Sequence, residues 1–297
     1  MNSLAVSSFA KINFGLRVLG RRNDGFHDIV TVFQTVSLAD QLIFTLDDDL
    51  RLECSDKSLP TDRGNLIIKA AESLQKMAGL KVGASIRLQK NIPSPGGLGG
   101  GSSNAAVTLL ALNKIWKLGC VYEDLYKVAA SLGSDVPFFL IGGTAIGTGR
   151  GTEIEPLPDI RSTPMVLVTP NISVSTAAAF RALNHIGLTT DSAESILLNC
   201  RFEAANADLE RISLENDFEK PVFKAHPEIE RVKQRLLELG ASEAALSGSG
   251  ATVYGSFENE ETRQTAMKAL GNESDWRSFA VAAISRREYR EALKEVF

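Results

Sequence analysis

Apolar and polar positions along the first half of the chain switch repeatedly between two periods. IVTVFQTV (29–36), QLIFTL (41–46) and ASIRLQ (84–89) are rich in β-branched and apolar residues at strand length, which predicts three strands. Residues 65–78 place Leu66, Ala70, Leu74 and Met77 on one helical face, and Gly79 supplies a stop. Asn104 to Leu118 is helical by pattern, with Ala106, Leu109, Leu110, Leu112 and Trp116 on one apolar face. Residues 122–132 repeat the helical spacing with Leu125, Val128, Ala129 and Leu132 before Gly133. IGGTAIGTGRG then predicts turns, and the proline-rich EPLPDIRSTP (155–164) predicts a connection between two domains, 1–160 and 161–297.

The second half is more regular. MVLVT (165–169) has the composition of a buried strand, and Ile229, Val232, Leu236 and Leu239 share a helical face over 228–239. A strand leads into SGSG (247–250), ATVYGSF follows as another, residues 259–270 are helical, and FAVAAI (279–284) closes as a strand. The order β-α-β-β-α-β is that of a ferredoxin-like unit with extra helix after its first strand, so an α+β fold is expected.

Composition narrows the function. The chain has 297 residues, 44% hydrophobic and 23% charged, as an ordinary globular protein has. A formal net charge of −4, with no basic run, argues against nucleic acid as a partner. No stretch has the length and apolarity of a signal peptide or a membrane span, so no membrane partner is expected. The cysteines, Cys54, Cys120 and Cys200, are odd in number and far apart, which suits buried thiols in a reducing cytoplasm.

The chemistry concentrates in NIPSPGGLGGGSSNAA (91–106), where glycine fills five of the six positions from Gly96 to Gly101. The stretch lies between a strand and a helix. A helix N-terminus offers unpaired N–H groups and a positive dipole end, and glycines let backbone approach phosphate oxygens. Ser102 and Ser103 add hydroxyls able to cap the helix, touch phosphate or hold a metal ion. A phosphate cradle is the reading. The common cradles do not fit: no lysine follows as a Walker A loop requires, and a G-x-G-x-x-G started at Gly97 fails at Ser102.

The loop resembles the phosphate loop of the GHMP small-molecule kinases, roughly P-x-x-x-G-L-G-S-S-x-A. Pro93, Gly97, Leu98 and Gly99 match; Gly100 and Gly101 intervene before Ser102, Ser103 and Ala105, as in one branch whose alcohol substrate carries cytidine diphosphate. FAKINFGLRVLGRRNDGFHDIVTVFQTVSLAD (9–40), LGSDVPFFL (132–140) and LSGSGATVYG (246–255) resemble further motifs of that branch, in the same order. The resemblance implies a ribosomal-S5-domain-2-like N-terminal domain, a ferredoxin-like C-terminal domain, and an ATP-dependent kinase with its site between them. ATP and Mg²⁺ are the implied cofactors, a small molecule the implied substrate, and a monomer or weak homodimer the implied state. The nucleotide would lie on Ser94, Pro95, Gly96, Gly97, Leu98, Gly99, Gly100, Gly101, Ser102, Ser103 and Asn104, with Asn65 and Lys90 near the adenine.

Residue by residue, the resemblance assigns roles that the residue types alone leave open. Asp135, readable as a helix cap, is implied as the catalytic carboxylate; Lys11, readable as a solvated strand residue, is implied beside it. Asn13, two residues on and on the same strand face, would bind substrate. Gly25, Phe26 and His27 fall where the family branch holds its base, with Phe180 on the opposite face and Thr176 close by. Phe26 stands where tyrosine is usual, which keeps a stacking face and drops a hydroxyl. The SGSG turn (247–250) is either a loop near the phosphates or a plain hairpin turn. No acidic cluster announces metal ligands.

Overall fold

The computed structural model describes residues 3–183, 195–197 and 215–297. A long antiparallel hairpin, β1 (Ser3–Arg21) with β2 (His27–Asp47), forms the frame of the first sheet. With β3 (Leu50–Cys54), β4 (Gly83–Gln89), β5 (Thr144–Thr148) and β6 (Glu153–Pro156) it makes a mixed sheet in the order β3-β4-β2-β5-β6, β1 also pairing with β2. The strands expected at 29–36 and 41–46 are one continuous strand. The intervening Ser37–Asp40 begins and ends on a polar residue and interrupts the apolar run, but a register shift opposite Phe9 and Ala10 absorbs the irregularity. The first half of β2 then pairs with β5 and the second half with β4.

The glycine-rich stretch expected to be turns contains β5, a strand in the middle of the sheet order. Gly147 explains it: a Cβ there would stand 2.4 Å from the Phe33 ring, so glycine serves ring packing on a strand rather than a bend.

Helices α1 (Leu66–Ala78), α2 (Gly100–Ile115) and α3 (Tyr122–Leu132) pack on this sheet. Two expectations change. Helix α2 starts at Gly100 rather than Asn104, because Gly99 takes the left-handed conformation, φ 67°, and the chain turns into the helix there. It is also buried nearly all round from Ser103 to Leu112, as a central helix is, rather than along one face. In α1 the buried side is built on Ile67, Ala70, Ala71 and Leu74, while Met77 is exposed.

The second sheet is antiparallel in the order β10-β7-β9-β8, with β7 (Pro164–Pro170), β8 (Glu243–Leu246), β9 (Val253–Ser256) and β10 (Trp276–Ala282). This is the ferredoxin-like order. Strand β10 begins earlier than its apolar pattern because Trp276 pairs with Pro170 at the end of β7. Helices α4 (Thr176–Leu183), α5 (Glu219–Ala225), α6 (Pro227–Glu238) and α7 (Glu260–Leu270) belong to this half. The chain then crosses back: in α8 (Arg286–Ala292) Tyr289 is fully buried in the first core and donates to the Phe139 carbonyl at 2.6 Å.

The two halves share a core of residues from both sheets, and a backbone clasp joins them as well. Leu16 N–H donates to the Glu215 carbonyl at 3.2 Å and Asp217 N–H to the Leu16 carbonyl at 2.9 Å, so the segment before α5 is stitched to β1. The cleft opens beside this seam.

Candidate active site

The glycine loop is held from both sides. Lys11 N–H donates to the Leu98 carbonyl at 3.0 Å, tying the loop to β1. From the other half, the Ser247 hydroxyl donates to the Gly97 carbonyl at 3.0 Å and Thr252 N–H to the Gly96 carbonyl at 3.2 Å. The SGSG segment is therefore both the β8–β9 link and a lid on the glycine loop. Asn216 fixes it by donating to the Leu246 and Gly248 carbonyls, both at 2.8 Å. Gly97, at φ 75°, has no room for a side chain: a Cβ would lie 2.3 Å from the Ser247 carbonyl oxygen.

Beneath the loop sits Asp40, fully buried. Its carboxylate accepts from Asn91 N–H (2.7 Å), Ile92 N–H (2.8 Å), the Lys90 ammonium (2.8 Å) and the Asn104 amide (3.0 Å). Burial pushes the Lys90 ammonium below the usual lysine range, with Asp40 opposing that shift. Asn104 also donates to the Ser8 hydroxyl at 3.0 Å, and Ser8 to the Ser103 hydroxyl at 2.8 Å. Lys90, Ser103 and Asn104 are thus engaged within the protein, below the loop. Asn65 caps α1, accepting from Ile67 N–H at 3.0 Å and donating to the Pro60 carbonyl at 2.8 Å. Ser94, Pro95, Gly96, Leu98, Gly100, Gly101 and Ser102 complete the loop and the first turn of α2.

Lys11, Asn13 and Asp135 meet in one cluster. Strand periodicity puts Lys11 and Asn13 on the same face of β1, and the ammonium donates to Asn13 Oδ1 at 2.5 Å. Asp135 arrives from the turn after α3, its Oδ2 3.2 Å from Lys11 Nζ. It caps no helix: the following 3-10 turn, Pro137–Leu140, starts from Val136 without a side-chain cap. The lysine side chain is only 4% exposed and the carboxylate 30%, so the charge pair has its acid side towards solvent.

An aromatic wall lies at the far end of the same cleft, whose volume is about 840 Å³. The turn into β2 is shaped by Gly25 at φ 86° and by Asp24, which accepts from Phe26 N–H at 3.1 Å; that bond holds its carboxyl below the usual range. This turn presents Phe26 and His27. The His27 ring stacks on Phe180 of α4, centroids 4.8 Å apart and planes 21° off parallel, and Phe180 abuts Phe218 edge-on. Phe26 is 47% exposed and carries the Arg150 guanidinium 3.7 Å above its ring. Thr176 is 2.9 Å from the Ser249 hydroxyl, both lining the cleft.

Several lining groups had no role in the sequence reading: Arg21, Ser134, Arg150 and Arg181; Gly248 and Ser249 belong to the SGSG segment, of whose two readings the loop at the site is the one observed. Arg150 was the one with a local signal, since it sits between Gly149 and Gly151, at φ 61° and 87°. Among the described residues Lys11, Arg21, Arg150 and Arg181 line the cleft against one acid, Asp135, so it favours anions.

The sequence pattern of the GHMP kinases N terminal domain matches residues 65–143, and that of GHMP kinases C terminal matches residues 200–275. The chain belongs to the GHMP kinases. A 4-diphosphocytidyl-2-C-methyl-D-erythritol kinase of Thermodesulfovibrio yellowstonii is 40% identical over 89% of this chain and 93% of its own. The protein of the same description from Syntrophus aciditrophicus is 41% identical over 95% of this chain and 99% of its own. Among solved structures, a 4-(cytidine 5′-diphospho)-2C-methyl-D-erythritol kinase aligns at a TM-score of 0.79 and 33% identity over 94% of this chain and 99% of that one. The homoserine kinase of Cytophaga hutchinsonii, at TM-score 0.72 and 20% identity over 96% and 95%, shares the fold. This GHMP kinase is accordingly a phosphotransferase with ATP as phosphoryl donor, and the expected two-domain fold is the observed one. No helix among its described residues is long and apolar enough to cross a membrane.

Proposed function

We propose that this GHMP kinase transfers the γ-phosphoryl group of ATP to the 2-hydroxyl of 4-(cytidine 5′-diphospho)-2-C-methyl-D-erythritol, a step of the non-mevalonate route to isoprenoid precursors. The observation that carries the reading is the cleft itself: one cavity joins the Lys11–Asp135 pair to the aromatic wall of Phe26, His27 and Phe180. A base stacks on such a wall, gaining about 1–3 kcal/mol per aromatic face. The arginines that line the cleft, Arg21, Arg150 and Arg181, suit the diphosphate. Relatives about 40% identical over nearly the full length carry the same substrate in their names.

In this reading the glycine loop and the N-terminus of α2 hold the phosphates of ATP, and Asn65 and Lys90 border the adenine end. Lys11 orients the acceptor hydroxyl, Asp135 takes its proton, and Asn13 and Thr176 hold the alcohol. Residues 1–160 bind the nucleotide, and 161–297 supply the Phe180 face of the base site. Among the described residues no three His, Cys, Asp or Glu side chains cluster, and Mg²⁺ does not require that. The oxygens of Asp135 and Ser102 are hard donors of the kind it takes, and phosphate and water would complete its shell; the ion would neutralise phosphoryl charge. A monomer or weak homodimer belongs to the same reading. The free thiols of Cys54 and Cys120 suit a reducing cytoplasm.

ADP release measured with the cytidyl alcohol, homoserine and mevalonate in parallel tests the reading. Turnover of the cytidyl alcohol alone is expected; turnover of homoserine in its place would overturn it.

A further inference from the structure

A chain of hydrogen bonds runs away from the Lys11 ammonium into the sheet, and its direction is forced at both ends. Lys11 Nζ can only donate, and it reaches Asn13 Oδ1 at 2.5 Å. The Asn13 amide nitrogen donates to the Thr31 hydroxyl at 2.7 Å, and that hydroxyl donates to the Gly15 carbonyl at 2.6 Å. A carbonyl can only accept, so the one proton of Thr31 is spent on Gly15. Its oxygen must then receive the Asn13 amide, and the other end of that amide, the carbonyl, must face the ammonium. A reversed amide would set an N–H against Lys11 and an unpaired carbonyl oxygen against the threonine. All three side chains are buried: Lys11 3%, Asn13 1% and Thr31 0% exposed.

The terminal carbonyl is aimed by a local irregularity. Asn13 pairs with Phe33 and Leu16 with Thr31, so Phe14 and Gly15 together oppose Val32 in a bulge, with Gly15 at φ 142°.

From this we infer that Thr31 is a positioning residue for phosphoryl transfer: it fixes the Asn13 amide so that its carbonyl anchors Lys11 beside Asp135. The inference rests on the reading of Lys11 and Asp135 as the transfer pair. Thr31 acts without touching substrate, and its effect travels only through Asn13 and Lys11.

The test is steady-state kinetics on the intact enzyme, with ADP release as the readout. Thr31→Val keeps the shape and removes the hydroxyl; a displacement of under an ångström at Lys11 is expected to lower kcat by about 10- to 100-fold, with KM for ATP unchanged. Thr31→Ser, which restores the hydroxyl, is expected to recover most of that loss. The deciding measurement is the double-mutant cycle. In an Asn13→Ala background, Thr31→Val should cost little more, whereas a merely structural threonine would cost the same factor in both backgrounds. Equal costs, or wild-type kcat in Thr31→Val, would overturn the inference while leaving the transfer pair intact. Undiminished kcat in Lys11→Met would instead overturn the reading on which it rests. Thermal melting of each variant identifies a loss of fold: a Thr31→Val protein that melts early and shows equal costs in the cycle counts against the proposal.

Discussion

Lys11 and Asp135 stand 3.2 Å apart, one from the middle of the first strand and the other from the turn after α3, with the acid as the more exposed partner. That asymmetry divides the labour. A lysine enclosed by Asn13 and by the Phe33 ring, 5.5 Å from its ammonium, is fixed in place. A carboxylate with one face in the cleft can meet a hydroxyl. Asp135→Asn removes the proton acceptor and keeps the shape. Turnover is expected to fall about 10²- to 10⁴-fold, with ATP binding, followed by calorimetry, retained. Near wild-type turnover would remove Asp135 from the mechanism.

Arg150 covers the Phe26 ring, and its Nε is buried without a hydrogen-bond partner among the described residues. A guanidinium in that state suits a phosphate oxygen. Arg150→Met keeps much of the packing on Phe26 and removes the charge. KM for the cytidyl alcohol should rise about tenfold, equivalent to about 1.4 kcal/mol, while KM for ATP stays put. A rise in the ATP KM alone would place Arg150 elsewhere in the reaction.

Gly97 is a position where a methyl group has nowhere to go. Besides the 2.3 Å approach to the Ser247 carbonyl, its φ of 75° disfavours any side chain. Gly97→Ala is expected to push the 247–250 segment off the glycine loop, abolishing measurable ATP binding while the far-UV circular dichroism is kept. Gly101→Ala, where the nearest atom is 3.8 Å away at Leu66, should be far milder.

Alkaline pH gives a fourth test. Burial raises the phenols of Tyr289 and Tyr254, and that of Tyr122 is pushed up to about 12, from an ordinary value of 10.0. Above pH 10 the unfolded chain releases these protons while the folded chain keeps them. Their contribution is therefore complete below pH 10 and declines as pH climbs from there, by about 1.4 kcal/mol per pH unit for each of the buried phenols of Tyr254 and Tyr289 and by less for the exposed Tyr122. Burial raises the Tyr126 phenol as well, and Lys90, lowered by burial, works in the opposite sense as one group against four phenols. Urea unfolding should show stability falling above pH 10. Tyr289→Phe loses the bond to the Phe139 carbonyl, about 1 kcal/mol at neutral pH, and should flatten the alkaline decline. An unchanged slope would mean that Tyr289 ionises freely in the folded state.

The sequence by itself determined the elements and the kind of chemistry. Periodicity located α1, α3, α6 and α7 to within a few residues because each buries one side and leaves the other to solvent, and it located the strands of the second sheet through their short apolar, β-branched runs. Where a residue faces protein on every side, periodicity carries no direction. Thus α2 showed one face in sequence and is buried nearly all round, and the glycines of β5 read as turns although Gly147 makes room for Phe33. The glycine loop, Lys11, Asp135 and the aromatic set were legible as residue types in a spacing that resembles a family. Tertiary structure alone decided how they combine. It set Lys90 and Asn104 on Asp40 below the loop, and it brought Arg150 onto Phe26. It also ran a polarised chain from Lys11 through Asn13 and Thr31 to a bulged carbonyl. Such contacts join residues on different strands and loops, and hydrogen-bond direction is set by which neighbour has a proton to give. No one-dimensional pattern records that.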